Sequence, residues 1–352
     1  MILTRRGYAV LGVVVLGVGN AALYGPRALN AVVAPAAVAL LAAVVLVRRV
    51  DRPTMERVVV DEGFVGETHT VELRFESDAA FTGQVVDHVP DGLAASGNEL
   101  TTAIEDTTVA YDVTFARRGV HELGPTRVVA RDVLGLAERT FEYGATRELL
   151  VYPRVHDLRG RARHELNLLP DVELVNNRGE FDNLREYQRG DSLRDIDWKK
   201  SAKATGDEMI VKEYVDEDDI GEVRIAAETA QERTRGPPEE AARESADAMA
   251  EAAASIAAFL LDAGLGVGVT VPGGSIEPDE AHDQRTAILE LLARTGPGRV
   301  GSEDRAAADL RLRADGTDVT VGLEGERVPF SRLAGDDAVE PPEPTVATPA
   351  EG

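Results

Sequence analysis

Four carboxylates, Glu180, Glu186, Asp191 and Asp197, stand within one run, Gly179 to Tyr214. Carboxylates gathered this closely are raw material for a hydrolase or a metal site. Catalysis needs at least one carboxyl clear of cations, in a cleft that shifts its pKa. Instead, Arg185, Arg189, Arg194 and Lys199 sit beside them. A carboxylate forked by a guanidinium is held ionised with its acceptor sites filled, which suits fixing backbone better than moving protons. Gly179 and Gly190 supply turns that other residues resist. Tyr187 and the single tryptophan, Trp198, can anchor such a loop through large buried area with a polar tip. The residue chemistry favours a structural or partner-binding role over catalysis.

The same run holds all four lysines, Lys199, Lys200, Lys203 and Lys212, in a chain of net charge −24. They could contact phosphate, but with acids around them solvation is the simpler reading. Nucleic acid is a poor partner for so acidic a chain, because phosphate binding relies on a basic footprint. Arg189-Gly190-Asp191 spells the integrin-binding tripeptide, a coincidence in a cytoplasmic segment. Every other basic residue is arginine. An acid-rich, lysine-poor surface stays soluble in concentrated salt through hydration and self-repulsion, so the charge reads as adaptation to a salt-rich cytoplasm. The absence of cysteine excludes disulfides, thiolate metal sites and cysteine nucleophiles.

Two apolar stretches open the chain, Tyr8 to Leu23 and Ala28 to Val47. Each approaches the ~20 residues that cross ~30 Å of hydrocarbon as helix. Gly25-Pro26-Arg27 breaks the helix between them. Arg5 and Arg6 precede the first span, and Arg48, Arg49 and Arg52 follow the second. The positive-inside rule then puts both ends in the cytoplasm, with the soluble remainder. Thr4-Arg5-Arg6-Gly7-Tyr8 also resembles a twin-arginine export signal, which would make the first span a cleaved leader. No small-x-small cleavage site stands out after it, and the expectation is an uncleaved hairpin over residues 1–52.

From 53 to 153 the pattern has period two. Val71, Leu73 and Phe75 alternate with Glu72 and Arg74, and Val109, Tyr111, Val113 and Phe115 repeat the pattern. Pro90-Asp91-Gly92, Ser96-Gly97-Asn98 and Arg118-Gly119 are turn signals at strand-like intervals. The expectation is an immunoglobulin-like β-sandwich of about seven strands. His69, His88 and His121 are scattered through it and read as ordinary surface or packed histidines.

Residues 216–334 read as α/β. Glu222 to Ala227 is a strand, and Pro237-Pro238 introduces a helix from Glu239 to Ala263, closed by Gly264. Ala246, Met249, Ala253, Ile256, Ala257 and Leu260 form its apolar stripe. A strand from Leu265 to Val271, a helix from Asp283 to Thr295 and weaker strands near Val319 to Leu323 follow. Strand, helix, strand predicts a parallel pair with a right-handed crossover. The acidic, proline-rich stretch 335–352 is expected to be a disordered tail.

Gly179-Glu180-Phe181, Leu184-Arg185-Glu186-Tyr187, Gly190-Asp191, Arg194-x-Ile196-Asp197-Trp198 and Ser201-Ala202-Lys203 resemble, in order and spacing, the signature of the domain-of-unknown-function 58 family. Lys203 stands where that family usually has arginine. Gly124-Pro125, Asp132-x-x-Gly135-Leu136 and Leu150-Val151-Tyr152-Pro153 look like the family's approach to its signature, and paired amino-terminal spans are similar to those of many members. The resemblance makes residues 154–215 the signature segment. It implies a following von Willebrand factor A-like domain and association with a MoxR-type AAA ATPase. Such domains often hold a divalent cation through Asp-x-Ser-x-Ser after the first strand. Here Ala227, Thr229 and Gln231 occupy those places, so that site is expected to be degenerate, and alternation would point Glu228 elsewhere.

Together these readings predict two transmembrane helices, a β-sandwich and an α/β von Willebrand factor A-like domain. The expected protein is a membrane-anchored, cytoplasm-facing interaction or assembly protein with no catalytic residues, cofactor or metal of its own. Glu180, Phe181, Arg185, Glu186, Tyr187, Gly190, Asp191, Arg194, Asp197, Trp198 and Lys203 are its structural or partner-binding residues. Its expected partners are the MoxR-type ATPase and protein clients. The competing reading is a hydrolase using Glu180, Glu186, Asp191 and Asp197.

Overall fold

A computed structural model of the chain describes residues 2–24, 30–158, 183–186, 210–213, 221–230, 238–279, 283–323 and 326–334. They fall into two units, Met1–Tyr152 and Pro153–Gly352.

The first unit begins with β1 (Ile2–Leu3), α1 (Arg5–Tyr24) and α2 (Asn30–Arg49). Thr4 caps α1: its hydroxyl accepts the Gly7 N–H at 3.1 Å. Among the described residues, the stretch Val32–Arg49 is long and apolar enough to cross a membrane, with a mean hydropathy of 2.0. Then come β2 (Thr54–Val58), β3 (Glu62–Phe64), β4 (Thr68–Glu76), β5 (Phe81–Asp87), β6 (Leu93–Ser96) and β7 (Glu99–Ile104). The unit closes with β8 (Thr107–Phe115), β9 (Gly119–Leu123), β10 (Thr126–Arg131), β11 (Ala137–Tyr143) and β12 (Arg147–Tyr152).

These strands form a five-stranded sheet, β1-β11-β10-β5-β7, a four-stranded sheet, β2-β4-β8-β6, and a three-stranded sheet, β3-β12-β9. Val71, Leu73 and Phe75 of β4 and Val109, Tyr111, Val113 and Phe115 of β8 are buried as their alternation requires. They share one core with Val85, Val128 and Phe141 of the five-stranded sheet and Leu149 and Val151 of the third. Eleven strands follow the helices where about seven were expected. The surplus lies in segments such as β3, β6 and β9, which are too short for period two to register.

Between the sheets lies one charged cluster. The Asp87 carboxylate is fully buried, and Arg57 Nη2 donates to its Oδ1 at 2.6 Å. Tyr111 donates to Oδ2 at 2.6 Å and Thr126 to Oδ1 at 2.8 Å. The same guanidinium reaches the Leu123 and Ala145 carbonyls at 2.9 and 3.2 Å. A Cβ at Gly124 would meet it at 2.7 Å, which explains a glycine before Pro125.

The helices are tied to β11. Ala43 and Val47 pack with Leu136 and Ala137. Arg139 Nη1 donates to the Arg48 and Val50 carbonyls at 3.3 and 2.6 Å, placing a cation at the carboxyl end of α2. Arg52 lies 4.7 Å over the Tyr143 ring, and the Tyr143 hydroxyl donates to the Pro53 carbonyl at 2.7 Å.

In the second unit β13 (Asn183–Glu186) pairs antiparallel with β14 (Ile210–Glu213). There follow β15 (Glu222–Thr229), α3 (Pro238–Asp262), β16 (Gly266–Val271), β17 (Gly274–Asp279), α4 (Gln284–Arg294) and α5 (Ser302–Ala307). Then come β18 (Leu310–Asp315), β19 (Asp318–Leu323), β20 (Glu326–Pro329) and α6 (Phe330–Ala334). The sheet order is β17-β16-β15-β18-β19-β20, and β15 runs parallel to both its neighbours. Every residue of the predicted α3 stripe is buried. Gly264, at φ +83, ends the helix in the left-handed region open to glycine. The antiparallel margins, β17 and β20, were not foreseen. Gly274-Ser275-Ile276-Glu277-Pro278-Asp279 carries little strand propensity, and pairing to β16 overrides it.

Burial, and then the bond to Asp87, push the Tyr111 hydroxyl above its ordinary 10.0. Above that pH the unfolded chain loses a proton that the folded chain keeps, so stability falls as pH rises. Tyr111→Phe should flatten this alkaline fall while lowering neutral-pH stability by about 1–3 kcal/mol. Asp87→Ala leaves Arg57 buried without its partner and should cost about 3–5 kcal/mol. Urea unfolding of the full chain in detergent, repeated across pH, measures both.

Candidate functional site

The run that carries the clustered carboxylates enters and leaves through strands. Arg185 and Glu186 lie on β13, opposite Val211 and Ile210 of β14, and Leu184 pairs with Lys212. The two ends of the signature are thereby held side by side, with residues 187–209 connecting them. Glu180, Phe181, Tyr187, Gly190, Asp191, Arg194, Asp197, Trp198 and Lys203 lie outside the described residues. Arg189, Lys199, Lys200 and the tail beyond Ala334 do so too.

The second place to look is the carboxyl end of β15. In an open parallel sheet, ligands bind outside the strand ends where connections diverge. From β15 the chain goes through α3 to β16 on one side, and β18 lies on the other. Ala227 is fully buried and offers no oxygen. Glu228, 6% exposed, accepts from Arg305 Nη1 of α5 at 3.0 Å. The Thr229 hydroxyl donates to the Gly298 carbonyl at 3.2 Å and accepts the Gly298 N–H at 3.0 Å. Its own N–H reaches that carbonyl at 2.9 Å. Nearby on α3, Ser245 accepts the Gly316 N–H at 2.9 Å and donates to the Ala241 carbonyl at 2.9 Å.

A hard divalent cation needs several carboxylate and hydroxyl oxygens converging on one point. At this strand end the Glu228 carboxylate faces an arginine and the Thr229 hydroxyl closes a loop. The described residues here do not fit such an ion, and Gln231 lies outside them. No group of three or more histidines and acids able to hold a metal occurs among the described residues. What the arrangement does is fasten the 296–301 and 315–318 turns to the sheet.

Two pairings had no sequence signal. Arg305 is remote in sequence from Glu228. His156 is as remote from α3, yet its N–H donates to Ser255 Oγ at 2.9 Å and its Nε2 bonds to Glu251. Its ring also meets Phe330 edge-on at 6.0 Å. Two histidines of the sandwich are similarly occupied. His69 packs on Phe115 and faces Glu67, and His121 bonds to the Arg117 carbonyl.

Comparison with known proteins places residues 183–317 in a match to the family described as protein of unknown function DUF58. The match starts inside the signature and runs into the α/β sheet as far as the turn after β18, short of β19 and β20. The upstream motifs at Gly124, Asp132 and Leu150 lie before it. Over 128 residues the chain is 28% identical to the uncharacterized protein YeaD of Bacillus subtilis, which covers 35% of this chain and 32% of that protein. The chain thus spans about a third of the length of that curated relative. Among solved structures, the PKD domain of an M14-like peptidase from a Thermoplasmatales archaeon is 15% identical. It covers 29% of this chain and 97% of its own, with a TM-score of 0.20. A CARDB domain from Pyrococcus furiosus is 13% identical, covering 29% and 93%, with a TM-score of 0.21.

Thr229→Val should strand the Gly298 N–H, while the backbone N–H at 229 still serves the Gly298 carbonyl, and lower stability by about 1–3 kcal/mol. A cation bound only to the native state would raise the melting temperature with concentration. Millimolar Mg2+ or Ca2+ should leave it unchanged beyond the effect of matched ionic strength. Differential scanning calorimetry of the full chain reads both outcomes.

Proposed function

We propose that this chain is a membrane-anchored interaction protein, facing the cytoplasm and carrying out no reaction of its own. In this reading α1 and α2 cross the bilayer as a hairpin, and the arginines at its two ends hold both on the cytoplasmic side. Exposed apolar side chains along the helices, such as Leu16 at 75% and Leu41 at 66%, support it. The second unit is read as a von Willebrand factor A-like domain whose cation site has lapsed. The observation that carries the non-enzymatic reading is the strand end itself. Where such a sheet would place chemistry, Glu228 is paired to Arg305 and Thr229 to Gly298.

The resemblance of the signature run supplies the partner class, a MoxR-type AAA ATPase acting with this protein in the assembly or maturation of others. The acidic surface fits work in a salt-rich cytoplasm. Affinity purification from native membranes in high salt should recover an ATPase of this type together with client proteins. Recovery of neither would overturn the reading.

Topology has its own test, helped by the absence of cysteine. In intact cells an impermeant maleimide should label Arg27→Cys and leave Thr146→Cys unlabelled. The reverse pattern would place the sandwich outside.

A further inference from the structure

The turn between β10 and β11 holds two large apolar residues in the open, Val133 at 96% exposed and Leu134 at 56%. It is a rigid turn. Asp132 Oδ1 accepts the Leu136 and Ala137 N–H groups at 2.7 Å each, and Oδ2 accepts that of Leu134 at 2.9 Å. The Gly135 N–H closes on the Asp132 carbonyl at 2.9 Å, with Gly135 at φ +64. A carboxylate that takes three backbone donors leaves the turn little freedom to fold its apolar residues inward.

The register fixes where this turn points. β1 runs antiparallel to β11, with Ile2 opposite Glu138 and Leu3 opposite Ala137, so the chain travels toward the turn. Thr4 N–H then donates to the Leu136 carbonyl at 3.0 Å, and its hydroxyl to the Gly135 carbonyl at 2.5 Å. From there α1 leaves the sandwich. A Cβ on Gly7 would sit 2.0 Å from the Leu136 carbonyl oxygen, so the first turn of α1 rests directly on the β-turn. On α2, Ala43 and Val47 pack against Leu136 and Ala137. Five residues separate Ala43 from Arg48, about 7.5 Å of helix at 1.5 Å per residue.

With Val32–Arg49 across the bilayer, the turn lies level with the last apolar turns of the span. That is the headgroup and acyl boundary, where apolar side chains insert about 5–10 Å. The surrounding charge fits lipid as well. Arg5, Arg6, Arg48 and Arg49 belong to the adjoining helix ends, and Arg6 Nη1 comes within 4.0 Å of the Cβ position of Gly135. In a chain of net charge −24 this is a local reversal, complementary to anionic headgroups. Register also places the 77–80 and 105–106 turns at this end, since Phe81 pairs with Ile104 and Gly83 with Ala130. Those turns carry Asp78, Glu105 and Asp106, which anionic lipid repels.

We infer that Val133 and Leu134 form a wedge inserted into the anionic headgroup layer of the bilayer that anchors the chain, while the acidic turns of the same end stay out. The wedge rests on the membrane-anchored reading, and it makes the sandwich a lipid-contacting domain with a set tilt. The occupant is phospholipid, and the argument for it is the arginines at the adjoining helix ends and the continuity with the spans.

The test uses the full chain, free of native cysteine, with Val133→Cys, Leu134→Cys or Thr146→Cys carrying an environment-sensitive fluorophore. Thr146 lies in the turn after β11, at the far end of that strand. Each variant is reconstituted into liposomes of phosphatidylcholine with or without phosphatidylglycerol, with brominated lipids as depth quenchers. The expected result is a blue-shifted emission at 133 and 134, quenched several-fold more than at 146 and more strongly with phosphatidylglycerol. Aqueous emission at 133 and 134 in protein that co-floats with liposomes overturns the wedge alone. Failure to co-float overturns the membrane reading and the wedge with it. Equal quenching with and without phosphatidylglycerol overturns the assignment to anionic lipid.

Discussion

A single buried carboxylate, Asp87, sets the terms for the sandwich. Removing a charge of this kind from water costs several kcal/mol, and the cost is met only if donors surround it in good geometry. Arg57 and Tyr111 come from the four-stranded sheet, and Thr126 comes from the five-stranded sheet that holds Asp87 itself. The cluster can form in one relative position of the two sheets, whereas the apolar core around it would tolerate several. Position follows outward from there. Thr126 opens β10, β10 leads into the Asp132 turn, and that turn receives Thr4 and Gly7 at the foot of the helices.

The same use of acids recurs where the backbone is irregular. Asp132 gathers the N–H groups of its own turn, Glu228 meets Arg305, and Glu251 meets His156. In so acidic a chain an acidic cluster is weak evidence of chemistry, because most acids serve solvation and the buried ones hold structure. That bears on the signature run, whose acids are likewise interleaved with arginine and lysine. The strand end of β15 makes the point physically. Its oxygens are oriented by partners inside the fold, and an oxygen so engaged is a poor ligand and a poor base.

Patterns within one element were legible, and relations between elements were not. Val71 to Phe75 and Val109 to Phe115 announced their strands, because each buries one face and shows the other to water. The α3 stripe announced a helix for the same reason, and its limits, Pro238 and Gly264, follow from backbone chemistry at helix ends. β17 was illegible because its pairing to β16, and not its residues, makes it a strand. β15 alternates only from Glu222 to Ile225 and is buried from there to Thr229, which is how a central parallel strand reads. Of the candidate site, the lack of a side-chain oxygen at Ala227 is given by the residue itself. The partners of Glu228 and Thr229 were not legible, since Arg305 and Gly298 reach them only through the fold.

The two attachments of the helical hairpin explain why the sandwich should follow the helices as one body. Thr4 and Gly7 fasten the start of α1 to the Asp132 turn, while Arg139 and Arg52 fasten the exit of α2 to β11. A single flexible attachment would let the sandwich swing about its tether. Two attachments to one strand and its turn remove that freedom, because rotation would have to break the Thr4 bonds or the Arg139 bonds. The Ala43–Leu136 packing between them adds apolar contact that no tether requires. In the proposed membrane-anchored reading, such a mount holds the faces of the sandwich at a set height above the bilayer.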